Sequence, residues 1–230
     1  MGKKEAKAKK ANILCENIEV AIVDSLENSF ITNKEVISII DKGYEGYKSL
    51  SVDMIDLYKI ENLIEEKSVV KNCDAYTSLD GTLHILVKQR EPIIKFANSG
   101  QDFYVDKDKF IFFAKNNIES EILTINGKIP TNSTQPKEKE WLNKVINLAK
   151  HINNHSYLKN NFTKISATNA GDIILRPKFG KETFLFGSPE DIIKKFELID
   201  LYYNAVIPEM GEDYYSRVDV RYKDQIICKK

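Results

Sequence analysis

The pair Asp80-Gly81 stands between two runs, residues 72–78 and 82–89, and in the second of them Leu83, Ile85 and Val87 alternate with Thr82, His84 and Leu86. Alternation is the period of a half-buried strand, and a tight primed turn needs the positive φ that Gly supplies, so the two runs predict an antiparallel hairpin. The preceding sequence has another period. Residues 52–69 carry Ile55, Tyr58, Ile60, Leu63 and Ile64 at spacings near three and four, which predicts a helix after a turn at 46–51. Thr32 and Glu35 stand at capping-box spacing ahead of Val36, Ile37, Ile39 and Ile40, which predicts another helix, ended by Gly43. With a short β-rich run at Ile18 to Val23, the first ninety residues read β-α-α-β-β.

Pro92 interrupts that block and fixes an extended segment before it. Beyond it, Ile93 to Ala97, Asp102 to Asp106, Lys109 to Ala114 and Ile122 to Ile125 read as short strands, with turns at 98–100 and 106–108, and Pro130 to Pro136 reads as a surface loop. A helix is expected over Glu138 to Ile152, where Trp141, Leu142, Val145, Ile146, Leu148 and Ala149 make one stripe. An antiparallel meander follows at 162–166, 172–176 and 183–186. Ser188 as cap and Pro189 as first helical residue open a second helix with Ile192, Ile193, Phe196, Leu198, Ile199 and Leu201 on a broad buried face. Arg217 to Tyr222 and Gln225 to Lys229 form a terminal hairpin about Lys223-Asp224. The fold class is α+β: a β-α-α-β-β module, then a mixed or antiparallel sheet domain with two helices. No internal repeat is present.

Charge and motif content narrow the function. Thirty-four Lys plus Arg balance thirty-four Asp plus Glu, so no basic excess is available to attract phosphate backbones. Three cysteines, Cys15, Cys73 and Cys228, allow at most one bridge and lack zinc-site spacing. No run approaches the ~20 apolar residues of a membrane span; the longest is Phe110 to Ala114. The lysine-rich residues 1–12 read as a frayed leader or a cloning junction. His151 and His155 stand four apart, but without an intervening glutamate or a third ligand they do not make a metal site. His84 reads as a structural strand residue. Asp106-Lys107-Asp108 lacks the sixth-place glycine and twelfth-place glutamate of a calcium loop and reads as a turn. Phosphate-cradling and nucleophile motifs are missing, so no catalytic residue, cofactor or metal is assigned.

At Leu83 to Pro92, LHILVKQREP closes the β-α-α-β-β block in a way that resembles the POTRA module of the bacterial division proteins FtsQ, also called DivIB. Four further segments match in order. Ser68 to Cys73 (SVVKNC) resembles the stretch between second helix and second strand, Tyr104-Val105-Asp106 a tyrosine-aspartate strand, Leu123 to Gly127 (LTING) the "LP-x-x-G" segment with Thr124 in place of its proline, and Val218 to Tyr222 (VDVRY) the terminal "IDLRY" strand. The terminal QIICK looks most like FtsQ proteins of the Bacteroidetes.

The resemblance implies a POTRA domain at 13–92 and an FtsQ-type β domain at 93–230. It also implies a non-catalytic assembly role in the divisome, at the periplasmic face of the inner membrane, with a single transmembrane helix in the full-length protein. The implied partners are FtsB and FtsL, held at the last strands of the β domain, which on this sequence are Tyr222 and the run Gln225, Ile226, Ile227 and Cys228. Export would expose Cys15 and Cys73 to oxidising conditions and leaves their pairing open. Independently of the resemblance, a terminal strand has one sequence neighbour, so its outer main-chain groups can take up another strand. Tyr222 supplies a ring of the kind enriched at hot spots, and Lys229 and Lys230 could instead serve to blunt an ordinary edge. A POTRA-bearing envelope transport or assembly module, or a cell-envelope hydrolase, are the alternatives; the first needs repeated POTRA units or a barrel, the second a catalytic set.

Overall fold

The computed structural model describes residues 13–23, 29–97, 102–114, 122–128, 135–162 and 164–230. They fall into two compact units, 13–90 with 112–114, and 91–111 with 122–230. The expected leader at 1–12, the turn at 98–100 and the loop residues 130–134 lie outside the described residues.

The first unit contains β1 (Asn17–Val23), α1 (Asn33–Gly43), a 3-10 turn (Tyr47–Ser49), α2 (Leu57–Glu65), β2 (Val70–Thr77) and β3 (Thr82–Gln89). Its sheet has the order β1-β3-β2, with β3 parallel to β1 and antiparallel to β2. Central position explains why Leu83, Ile85 and Val87 are wholly buried. The capping box forms as expected: the Glu35 N–H donates to Thr32 Oγ1 at 3.2 Å and the Thr32 N–H to Glu35 Oε2 at 2.8 Å. α2 is shorter than the expected 52–69. Asp56 takes the cap by accepting from the Lys59 N–H at 3.0 Å, the residues before it turn back at Ser51, and Tyr58 faces outward rather than joining the stripe.

The hairpin after β2 also differs from expectation. Only Gly81 has positive φ, +89°, and Asp80 does not. The Ser78 N–H donates to the Thr82 carbonyl at 2.9 Å, which makes a three-residue loop closed by a left-handed glycine instead of a two-residue primed turn. The Asp80 carboxylate stabilises it by accepting from the Thr82 N–H at 3.1 Å.

The second unit is built on a mixed sheet. The strands of that sheet are β4 (Pro92–Ala97), β5 (Phe103–Asp106), β6 (Ile111–Phe113, of which only Ile111 is grouped with this unit), β7 (Leu123–Gly127), β8 (Lys164–Ala167), β9 (Ile173–Arg176), β10 (Thr183–Gly187), β11 (Arg217–Asp219) and β12 (Ile227–Lys229). Their spatial order is β12-β11-β10-β9-β8-β7-β4-β5-β6. Parallel joints occur at β4-β7, β7-β8 and β10-β11, and the meander β8-β9-β10 is antiparallel as expected. Parallel neighbours need long crossovers. The β7-to-β8 connection contains α3 (Pro136–Asn153) and α4 (Ser156–Asn161). The β10-to-β11 connection contains α5 (Ile192–Leu201), one π turn (Tyr202–Val206) and α6 (Ile207–Met210).

The core gathers Leu142, Val145, Ile146 and Ala149 of α3 with Phe196 and Ile199 of α5 and the inward residues of the strands. α4 and α6 were not expected. α5 begins at Ile192 rather than at Pro189, because the Ser188 carbonyl is taken by the Lys195 ammonium at 2.7 Å and Asp191, at φ +50°, stands in the cap position. Its buried face is narrower than predicted, since Ile193 and Leu201 are exposed. Cys15 and Cys73 are separate, buried thiols, and burial pushes the Cys73 thiol up to about 12.

Candidate partner-binding edge

The last forty-odd residues build one margin of the second sheet. β11 lies parallel to β10, pairing Thr183 with Arg217, Phe184 with Val218 and Leu185 with Asp219. β12 returns antiparallel along the other side of β11, pairing Arg217 with Lys229, Val218 with Cys228 and Asp219 with Ile227. Both strands are shorter than the sequence suggested. Tyr222, Gln225 and Ile226 lie in the connection between β11 and β12 rather than in a strand, and only Ile227 and Cys228 of the expected set belong to β12. The reason is local. Arg221 folds back on Asp219 and ends the extended run, donating from Nε to Oδ1 at 2.9 Å and from Nη2 to Oδ2 at 2.6 Å. Asp224 then turns the chain in a left-handed conformation, φ +56°.

β12 is the outermost strand on this side of the sheet. Lys229 directs its carbonyl toward β11, where the Ser216 N–H donates to it at 2.9 Å. Since the main-chain groups of successive residues in a strand point to opposite sides, those of Cys228 point outward. Side chains obey the same period of two on the faces. Ile226 and Cys228 pack against the core, whereas Ile227 lies on the open face. Burial raises the Cys228 thiol. Tyr222 is half exposed beside the turn, with the Arg221 guanidinium 5.9 Å from its ring centre. Gln225 is exposed at the turn.

The Asp219-Arg221 pair is the element of this site that the strand pattern left unexplained. Burial alone would raise the Asp219 carboxyl, but the hydrogen bonds and charge of Arg221 outweigh it and hold the group below its ordinary value. The signal was present in the sequence, since Asp219 and Arg221 stand two apart on one face.

Other candidates resolve into structural roles. The His84 ring stacks on Tyr76 at 4.7 Å and hydrogen-bonds the Ser78 hydroxyl at 3.0 Å. Asp106 is buried at the end of β5, and its Oδ1 accepts the N–H groups of Asp108 and Phe110, both at 2.9 Å, which fixes the expected turn. His151 and His155 lie 4.3 Å apart ring to ring, and His155 Nδ1 donates to the His151 carbonyl at 2.7 Å. Among the described residues no group of three or more His, Cys, Asp and Glu side chains is placed to hold a metal, and no helix is long and apolar enough to cross a membrane.

Residues 91–229 match the family model described as FtsQ/DivIB, C-terminal related. The chain belongs to the FtsQ/DivIB family. Residues 13–88, which fold as the three-stranded sheet β1-β3-β2 with two helices, match the POTRA-like domain model. The cell division protein DivIB of Clostridium acetobutylicum is 25% identical over 186 residues, covering 76% of this chain and 70% of that protein. Membership in FtsQ/DivIB gives the chain a role in cell division, among protein partners of the division machinery.

The FtsQ/DivIB segments that suggested the kinship now have physical roles. Gln89 of LHILVKQREP is buried, and its Oε1 accepts the N–H groups of Phe30 at 2.7 Å and Ile31 at 3.1 Å, just ahead of α1. Arg90 ties that segment to SVVKNC, donating from Nε to the Ser68 carbonyl at 3.1 Å and from its N–H to the Val69 carbonyl at 2.9 Å. Gly127 of LTING has φ +96°, and a Cβ there would collide with the Ala167 carbonyl oxygen of the adjoining strand, so only glycine fits.

Proposed function

We propose that this chain is a non-catalytic assembly protein of the divisome that binds FtsB and FtsL by strand addition to β12. In this reading residues 13–92 form the POTRA domain and 93–230 the FtsQ-type β domain. The full-length protein is single-pass and works at the periplasmic face of the inner membrane. The observation that supports it is the position of β12 as the outermost strand of the sheet, with the main-chain groups of Cys228 directed away from β11. Backbone hydrogen bonds to such an edge give affinity, and the side chains alternating beside it give selectivity. Tyr222 stands at the end of the edge as an exposed aromatic anchor.

The test is titration of peptides from the extracytoplasmic parts of FtsB and FtsL into the chain. Ile226→Pro removes the main-chain donor just ahead of β12, and binding is expected to vanish while the circular dichroism spectrum stays that of the folded chain, with the denaturation midpoint lowered only by the lost packing of the Ile226 side chain. Tyr222→Ala is expected to weaken binding about tenfold, in line with an aromatic hot spot of ~1.4 kcal/mol or more. Unchanged affinity in both variants sinks the assignment.

A further inference from the structure

The register of the second sheet brings four cations into line. Lys164 of β8 pairs with Arg176 of β9, Leu175 of β9 with Phe184 of β10, Thr183 of β10 with Arg217 of β11, and Arg217 with Lys229 of β12. One row across five strands therefore reads Lys164, Arg176, Thr183, Arg217, Lys229. At the ~4.8 Å spacing of neighbouring strands it is ~19 Å long. The buried residues Ile165, Leu175, Phe184 and Val218 occupy the other parity, so the row lies on the face away from the core.

Like charges directly opposite on neighbouring strands destabilise a sheet, and this sheet places them so twice, at Lys164-Arg176 and at Arg217-Lys229. Among the described residues no ion pair relieves the row. Asp219, two residues on from Arg217 in β11, feels the Arg217 charge but gives its hydrogen bonds to Arg221; Asp213 pairs with Lys181 at 3.0 Å; Arg176 hydrogen-bonds the Ser166 hydroxyl, at 3.1 Å. The row also borders a cavity of about 470 Å³ whose lining joins Arg176, Lys181, Arg217, Lys229 and Lys230 to an apolar floor of Ile174 and Leu185. In a chain of zero net charge, a concave cationic site of this kind is a local investment in binding an anion.

We infer that this row receives the carboxylates of an acidic, extended polypeptide segment continuous with the strand that adds to β12. The inference rests on the strand-addition reading above. Lys229 belongs both to the row and to the edge, so a strand laid against β12 sets its own open-face side chains directly beside Lys229, where Asp or Glu forms the favourable cross-strand pair. The chain running on from it can then follow the groove over Arg217 to Arg176. The apolar floor and concavity suit a narrow polypeptide better than a flat lipid surface.

The experiment measures fluorescence anisotropy of a labelled decaglutamate and of the FtsB and FtsL peptides against the wild type, the double variant Arg217→Glu/Lys229→Glu, and Ile226→Pro. Decaglutamate binding is expected to weaken at least tenfold on charge reversal, to fall with rising salt, and to persist in Ile226→Pro. Arg217→Gln/Lys229→Gln serves if the reversal perturbs folding. Charge variants that leave both decaglutamate and partner affinity unchanged overturn the inference, and the edge assignment survives if Ile226→Pro still abolishes partner binding. Sensitivity to charge reversal without sensitivity to Ile226→Pro removes the edge assignment and leaves the groove. Vesicles of phosphatidylglycerol or a labelled oligothymidylate binding the row in place of decaglutamate overturn the polypeptide assignment.

Discussion

Arg221 holds both carboxylate oxygens of Asp219, at 2.9 and 2.6 Å, and its own N–H donates to Oδ1 at 3.1 Å. The pair closes β11 and starts the turn into β12, so the position of the terminal edge depends on it. Asp219 is buried and Arg221 is half exposed. Removal of the arginine leaves a buried carboxylate short of its best donors.

Arg221→Ala is therefore expected to lower stability by about 1 kcal/mol, a value reduced from that of a buried pair because water screens the guanidinium. The loss is expected to concentrate in amide exchange of residues 217–229. The pH dependence follows from the lowered carboxyl: the contribution is complete above the ordinary value of 3.8 and is lost as acid protonates Asp219 below it. Wild type and Arg221→Ala should converge in stability at low pH, which denaturant titration at pH 7 and pH 2.5 checks.

Gly127→Ala is expected to cost more than 2 kcal/mol, since it combines a positive φ with a collision against backbone, the Ala167 carbonyl, which cannot swing aside like a flexible side chain. Denaturation midpoint and soluble yield report it.

Gln89→Met keeps volume but removes the acceptor for the Phe30 and Ile31 N–H groups. Two buried donors lose their partner, so a loss of about 2 kcal/mol is expected, with no change in affinity for partner peptides. Equal stability of the variant would show that this acceptor is dispensable.

His151 stacks on Phe196 at 5.3 Å, and burial, then the neighbouring His155, lowers its pKa below the ordinary 6.5. Folding favours the neutral ring, so stability is full above pH 6.5 and declines as pH falls below it, where the unfolded chain takes up the proton first. Melting temperature measured from pH 7.5 to 5.5 is expected to fall, and to fall less in His151→Gln.

The legible parts of the fold are those fixed within a few residues. The Thr32-Glu35 box, the apolar stripe of α3 and the alternation of β3 each state their conformation locally, because caps and hydrophobic periods act over one or two turns. Boundaries failed where a side chain made an unexpected local bond: Asp56 capping α2, Lys195 taking the Ser188 carbonyl, Arg221 bending β11 short. The π turn at Tyr202–Val206 and the short α4 gave no period to detect.

Local residue patterns suffice for the β-α-α-β-β opening, the long helix α3 and the existence of a terminal hairpin. Long-range packing sets β3 between β1 and β2, joins β11 to β10 in parallel, and leaves β12 outermost. Only the register brought Lys164, Arg176, Arg217 and Lys229 into one row. Strand neighbours far apart in the chain are selected by the burial of whole faces, a global sum that no short window of residues contains.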